Sequence, residues 1–227
     1  MNKYEITSII EEFAPIDTQE GWDCSGWLVD SEKNEIQKIL LALTVTDDIC
    51  NQAKLNNCEM IISHHPLFCV PVKYRDVNIY CAHTNADKAN GGTTDSLIKV
   101  LGFKEKIEKS GDFVRMVRLN EPMSIQNLET KLRKISPNLR YVKHSGEISS
   151  IGFCAGSGGE FINTADVDAF VTGDLKFHGA VETNKTVFDI GHFESEIFIL
   201  DVFKGLLENI AGHPKIIIAE EKSPFMY

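Results

Sequence analysis

The chain has 227 residues, 43% of them hydrophobic and 25% charged, an ordinary globular composition that excludes a disordered tail, a collagen-like fibre and a disulfide miniprotein. Lys and Arg number 23 against 33 Asp and Glu, a formal net charge of -10. That balance argues against a duplex nucleic-acid partner, which needs a basic footprint, but leaves small phosphate-bearing substrates open because bound metal ions invert a local field.

The opening residues, MNKYEITSIIEEF, place Ile6, Ile9, Ile10 and Phe13 on one helical face, with a stop at Pro15. They read as an amphipathic helix carrying acidic residues and not as a signal peptide. Ile39–Val45 follows as a buried strand. Thr46 is placed to cap a helix through Ala53 that ends near Asn56 and Asn57. Strands are expected at Met60–Ser63 and Val77–Ala82, then a helix at Thr94–Leu101 closed by Gly102. A middle section reads as strand Phe113–Leu119, helix Ser124–Ile135 and strand Leu139–Lys143. Further strands are expected at Ile148–Cys154, Ala169–Val171, Val187–Ile190 and Ile216–Ala219, with helices near 175–184 and 193–210. Strand alternating with helix predicts an α/β fold: two intimately packed α/β halves, roughly 1–103 and 104–227, with mostly parallel or mixed sheets covered by helices.

No apolar stretch is long enough to span a bilayer. The six cysteines form no C-x-x-C pair, and Cys50, Cys58, Cys69, Cys81 and Cys154 lie in or beside apolar runs. They are expected to be packing thiols in a reducing compartment, so a cytoplasmic location is expected.

The polar chemistry collects just beyond strands. MIIS runs into His64-His65-Pro66, and VNIYCA into His83-Thr84-Asn85-Ala86-Asp87. DAFVT runs into Gly173-Asp174-Leu175-Lys176-Phe177-His178, and TVFDI into Gly191-His192-Phe193-Glu194-Ser195-Glu196. Five of the seven histidines thus follow the carboxyl end of a strand, the edge where open α/β sheets bind ligands. Each group has a plain alternative. His64 and His65 are either exposed loop residues or metal ligands on a turn stiffened by Pro66. His192 and Glu196, four apart on one helical face, form either a surface pair or a chelating one; Glu194 points elsewhere. Asp87 is either a turn aspartate or a ligand. His83 is open between ligand, orienter and substrate contact, and His178 between helix-face residue and general acid or base. His144 and His213 read as surface residues. Gly156-Ser157-Gly158-Gly159 could present backbone amides to a phosphate, although neither the Rossmann nor the P-loop pattern is present.

If His64, His65, Asp87, His192 and Glu196 converge, three neutral imidazoles and two carboxylates facing two divalent ions leave a positive centre able to draw anionic substrates into an acidic protein. Mixed nitrogen and oxygen donors without thiolates suit Zn, Mn, Fe, Co or Ni in an open, reactive or exchangeable site.

The motifs GWDCSGW, IISHHPLF, AHTNADKANGG, GFCAGSGGEF, DAFVTGDLKFH, DIGHFESE and SPFMY together resemble the Nif-three-like family of dinuclear metal-centre proteins, the GTP cyclohydrolase 1 type 2 homologs, over nearly the whole chain. The resemblance implies a single Nif-three-like unit over 1–227 without an inserted domain. It also implies that His64, His65, Asp87, His192 and Glu196 hold two divalent ions per chain, Glu196 bridging both, in a homohexameric toroid whose metal sites face an interior cavity. The segment CVPVKYRDVNIYCA after HHPLF is shorter than in many relatives, so the cavity rim and subunit contacts are expected to differ. The function expected is a metal-dependent hydrolase acting on a small anionic, nucleotide-like or phosphate compound, with His83 or His178 moving protons. The alternative is a metal-handling or regulatory protein without turnover. A membrane or nucleic-acid partner is not expected.

Overall fold

The computed structural model describes residues 1–144 and 146–225; the last two residues of the SPFMY motif lie outside that range. In chain order the elements begin α1 (Lys3–Phe13), β1 (Gly26–Val29), β2 (Lys38–Ala42), α2 (Asp47–Asn56), β3 (Met60–Ser63), β4 (Asn78–Cys81), α3 (Thr84–Lys88) and α4 (Thr93–Val100). Next come β5 (Ile107–Ser110), β6 (Val114–Ser124), α5 (Ile125–Leu132), β7 (Arg140–Val142), β8 (Glu147–Phe153) and β9 (Ala169–Thr172). The chain closes with α6 (Phe177–Glu182), β10 (Thr186–Asp189), α7 (His192–Glu196), α8 (Ile199–Glu208) and β11 (Lys215–Ile218).

Local chemistry sets the helix ends. Asn2 and Glu5 form a reciprocal capping box at α1. Thr46 accepts the Ile49 amide at the start of α2, and Asn57, at φ 54°, closes that helix in the left-handed region. Ser124 caps α5 by accepting the Asn127 amide.

Two compact units result. The first comprises Met1–Gly92 with Ile199–Lys222, and the second Thr93–Phe198 with the described residues from Ser223 on. The expected division at 103/104 therefore changes: the chain returns at its end to the first unit. The physical reason is the apolar run of β11, which adds a parallel strand to β2 in the register Ile216 to Ile39, while α8 packs on α1, β2 and β11.

The first unit carries a five-stranded sheet of order β1-β4-β3-β2-β11. Its last four strands are parallel, and β1 closes the edge antiparallel to β4. Every residue of β3 and β4 is buried, as expected of parallel strands covered on both faces, whose sequences read as unbroken apolar runs. Leu40, Ile61 and Ile79 meet Ile49 and Ala53 of α2 in one core cluster.

The second unit carries a six-stranded mixed sheet of order β5-β6-β8-β9-β10-β7. Here β8, β9 and β10 run parallel and the outer pairings are antiparallel. Leu97 of α4 and Leu128 and Leu132 of α5 pack with Ile151, Val171 and Phe188. Phe170 and Val187 belong to a separate cluster with Val114 and Ile162, consistent with the alternation of side chains across a strand. Arg115, 1% exposed, bridges Asp95 at 2.8 Å inside this unit.

Differences from the sequence expectations are local. The strand expected at 113–119 continues to Ser124 through a register shift between Arg118 and Met123. The single helix expected at 193–210 is two, α7 and α8. The short edge strands β1 and β5 and the five-residue α3 carry too little periodicity to be read. Among the described residues no helix is long and apolar enough to cross a membrane.

Candidate metal centre

In the first unit the carboxyl ends of the parallel strands β3 and β4 deliver three histidines to one place. The rings of His64 and His65 are 5.1 Å apart, with His83 5.2 and 5.7 Å from them. One donor atom from each of the three lies within 4.8 Å of the others, close enough to share an ion. Asp87, one α-turn beyond His83 on α3, places Oδ1 3.5 Å from His64 Nε2. Two donors each about 2.1 Å from a tetrahedral cation lie about 3.4 Å apart, so this pair fits a metal span.

The orientation of the rings is fixed from behind. His64, fully buried, holds the Ala82 carbonyl at 2.9 Å through Nδ1. A carbonyl only accepts, so Nδ1 carries the proton and Nε2 presents the lone pair. His65 Nδ1 meets Thr44 Oγ1 at 2.6 Å, and Glu221 in turn accepts the Leu43 and Thr44 amides. Burial raises the Glu221 carboxyl, against those two amides and the positive influence of His65. His83 Nδ1 lies 2.9 Å from Asp23 Oδ1, whose side chain is fully buried. Burial pushes that carboxyl up, but hydrogen bonds from His83, Thr84 and the Cys24 amide outweigh it and hold Asp23 well below the usual carboxylate range.

The second unit assembles its own pair at the carboxyl ends of β9 and β10. His192 Nε2 is 3.0 Å from Glu196 Oε2 across one turn of α7, and Glu196 is 4% exposed. Asp174 holds His192 Nδ1 at 2.6 Å. Glu196, by hydrogen bond and by charge, and then Asp174 keep this imidazole charged, pushed up to about 9 against the opposing effect of burial. Such a pair attracts a cation in place of the proton. The backbone is shaped around it. Asp174 sits at φ 52°, a strained conformation for a residue with a side chain. Its neighbour Gly173 runs so close to the Gly191–His192 peptide that a Cβ would lie 2.8 Å from it. Gly156, at φ 67°, passes against Glu196, where a Cβ would stand 2.1 Å from Oε1.

The sequence expectations thus sort clearly. His64, His65 and Asp87 gather in the first unit with His83, and His192 and Glu196 gather in the second. His178 lies exposed on α6, its ring edge-on to Phe177, in the wall of a cavity of about 390 Å³ that it shares with Asp174 and Ser157. The phosphate-cradle reading of Gly156–Gly159 is not sustained at two of its amides: Gly156 N–H donates to Ser195 Oγ and Gly158 N–H to Thr172 Oγ1, both at 2.9 Å. Gly156 there serves close approach to Glu196, and Gly158 close approach to Cys154 and Thr172. Sequence reasoning missed the three carboxylates that orient donors from behind, Asp23, Asp174 and Glu221. Asp23 and Asp174 lie inside GWDCSGW and GDLKFH, strings already singled out for other reasons.

Comparison with known proteins places the chain. It is 30% identical over 262 residues to the GTP cyclohydrolase 1 type 2 homolog of Clostridium perfringens, covering 100% of both chains. Identity is also 30%, over 249 residues and 100% of both, to the protein of the same description from Campylobacter jejuni. A crystal structure of a Staphylococcus aureus hypothetical protein superposes with a TM-score of 0.85 at 22% identity, over 100% of this chain and 99% of that one, a likeness of fold. Residues 1–224 match the Duf34/NIF3 (NGG1p interacting factor 3) family, and the chain belongs to it.

Proposed function

We propose that the chain binds two divalent metal ions and hydrolyses a small anionic compound of the nucleotide or phosphate-bearing class. One observation carries the reading: four histidines, His64, His65, His83 and His192, each have Nδ1 within hydrogen-bond distance of an oxygen that fixes the orientation of the ring. Engaging one ring nitrogen to fix and enrich the other is what metal-ligating histidines require. His64, His65, Asp87, His192 and Glu196 are the residues that would hold the ions. Their mixed imidazole and carboxylate chemistry fits Zn, Mn, Fe, Co or Ni. When bound, such ions supply Lewis acidity and activate water.

The chain's own groups supply the rest. Asp23 keeps the proton of His83 on Nδ1 and sets Nε2 to take up or return a proton at the reacting group, the work of a general acid–base residue. His178, on the wall of its cavity, is the second candidate for a substrate contact. Relatives named GTP cyclohydrolase 1 type 2 homolog support a hydrolytic reaction in a general way. Six copies in a ring are proposed as the assembly, giving six times the chain's mass by light scattering.

The test is metal analysis followed by activity screening of loaded protein against nucleotides and phosphoesters, with Glu196→Ala as control. About two ions per chain and turnover abolished in the variant are expected. Activity that survives loss of Glu196 refutes the mechanism. Reversible metal exchange with no turnover on any candidate assigns the chain to metal handling instead.

A further inference from the structure

We propose that Trp22 is the platform on which a planar heteroaromatic ring of the substrate stacks, which makes it the residue that selects a nucleobase-like compound over a simple phosphate ester. The inference rests on the hydrolase reading and deepens it. Trp22 stands at a turn with 62% of its surface exposed, and its ring lies edge-on to His83, centroids 6.1 Å apart at 74°. A large exposed indole is costly to leave in water, and beside a cluster of acid–base groups its apolar body and flat face suit a ligand ring.

The loop that carries it is tied down by hydrogen bonds on both sides. Asp23 accepts from His83, Thr84 and the Cys24 amide, and its own amide donates to the Glu20 carbonyl at 2.9 Å. The Glu20 amide donates to Thr84 Oγ1 at 3.0 Å, and Lys88 pairs with Glu20 at 2.5 Å. Ser25 donates its amide to Gln19 and its hydroxyl to Asn85, which itself donates to the Ala14 carbonyl. The residues on either side of Trp22 are therefore tied to the same α3 segment that follows His83, and the indole is held ready without the ordering cost of a mobile loop. The chain's second tryptophan is built differently: Trp27 packs edge-on between Tyr4 and Tyr80, at 5.6 and 5.3 Å. It is a packing residue, whereas Trp22 faces outward beside the histidines. In a chain of net charge -10, attraction of the polyphosphate falls to bound metal, and discrimination among phosphate compounds falls to a neutral face such as this one.

The experiment uses metal-loaded full-length protein in the Trp27→Phe background, so that emission reports Trp22. GTP, CTP and inorganic triphosphate are titrated, and Trp22→Ala and Trp22→Phe are compared by calorimetry. Both nucleotides are expected to quench the emission saturably. GTP is expected to bind roughly tenfold tighter than triphosphate, and Trp22→Ala to erase that advantage while Trp22→Phe keeps most of it. Metal content and triphosphate binding are expected to stay unchanged in both variants. Equal binding of GTP and triphosphate by the parent protein, or undiminished GTP binding by Trp22→Ala, overturns the proposal. So does a ligand-free emission already blue-shifted and shielded from iodide, which would put a second copy of the chain over the indole. If Trp22→Ala fails in these ways yet ring-free phosphoesters are still hydrolysed, stacking alone is wrong. A parent protein that holds no metal defeats the hydrolase reading instead.

Discussion

Replacing Gly156 by alanine tests whether the glycine turn after β8 exists to admit the Glu196 carboxylate. Two costs are separable. At φ 67° any side chain pays for the left-handed backbone, about 1 kcal/mol. Beyond that, the new Cβ would stand 2.1 Å from Glu196 Oε1, against a normal contact near 3.2 Å, so the carboxylate must withdraw by about 1 Å. That movement strains the 3.0 Å bond to His192, a charge-assisted interaction of about 1.5–3 kcal/mol. Gly111→Ala is the matched control, because Gly111 has φ 77° and open space where its Cβ would be. Both positions lie in the second unit, so a single unfolding transition reads both. Urea titration of metal-free protein is expected to show a loss of about 1 kcal/mol for Gly111→Ala and about 3 kcal/mol for Gly156→Ala. Calorimetric titration with zinc or manganese is expected to show affinity down by at least roughly tenfold for Gly156→Ala only. Equal stability losses with unchanged metal affinity would refute the close-approach argument.

The buried ion pair of the second unit gives another test: Arg115→Leu leaves Asp95 without its 2.8 Å guanidinium partner and is expected to cost about 3–5 kcal/mol in denaturant titration, with much of the loss restored by Asp95→Leu in the same chain. Asp23→Asn should flatten the acid limb of the stability profile. The native Asp23 carboxyl titrates below its ordinary value of 3.8, so it stabilises the fold above that pH and the contribution drains away as pH falls through and beneath it; an unchanged profile between neutrality and strong acid would show that the His83 pairing carries no such energy. Thiol labelling at mildly alkaline pH is expected to modify exposed Cys69 first. Burial pushes the Cys50 thiol to about 11 and raises Cys58 and Cys81 as well, so half-buried Cys50 should react slowly and buried Cys58 and Cys81 only after unfolding. Early modification of Cys81, read by mass spectrometry, would contradict its burial.

Much of the fold is legible because its central strands are unbroken apolar runs and α1, α2 and α5 have ordinary side-chain caps. MIIS and AFVT are strands with every residue buried, and Thr46 and Ser124 cap helices where their side chains suggest. What escapes is non-local. Nothing in KIII of β11 states that it will pair with β2, some 177 residues earlier, in the register Ile216 to Ile39, since either sheet would accept a parallel apolar strand. β1 is invisible for a different reason: four residues at a sheet edge, with a register irregularity between Trp27 and Val29, leave no alternation to detect.

The candidate site divides along the same line. Its donors are readable because they follow the strands β3, β4 and β10, and a strand's carboxyl end is where chemistry collects. Their orienters are not, because each arrives from elsewhere: Asp23 reaches His83 across 60 positions and Asp174 reaches His192 across 18, while Glu221 acts on His65 only through Thr44. The nature of each partner also grades the imidazoles. A carbonyl behind His64 fixes the tautomer and little more, whereas the carboxylates behind His83 and His192 make those rings stronger bases. Asp174→Asn should therefore weaken metal binding by roughly 10- to 100-fold while leaving the ring oriented. Substituting Ala82, whose contribution to His64 is a main-chain oxygen, cannot remove that bond at all. Orientation by backbone thus survives mutation and orientation by side chain is exposed to it, so the carboxylates Asp23 and Asp174, more than the His64 tautomer, are where single substitutions should separate a folded chain from a working one.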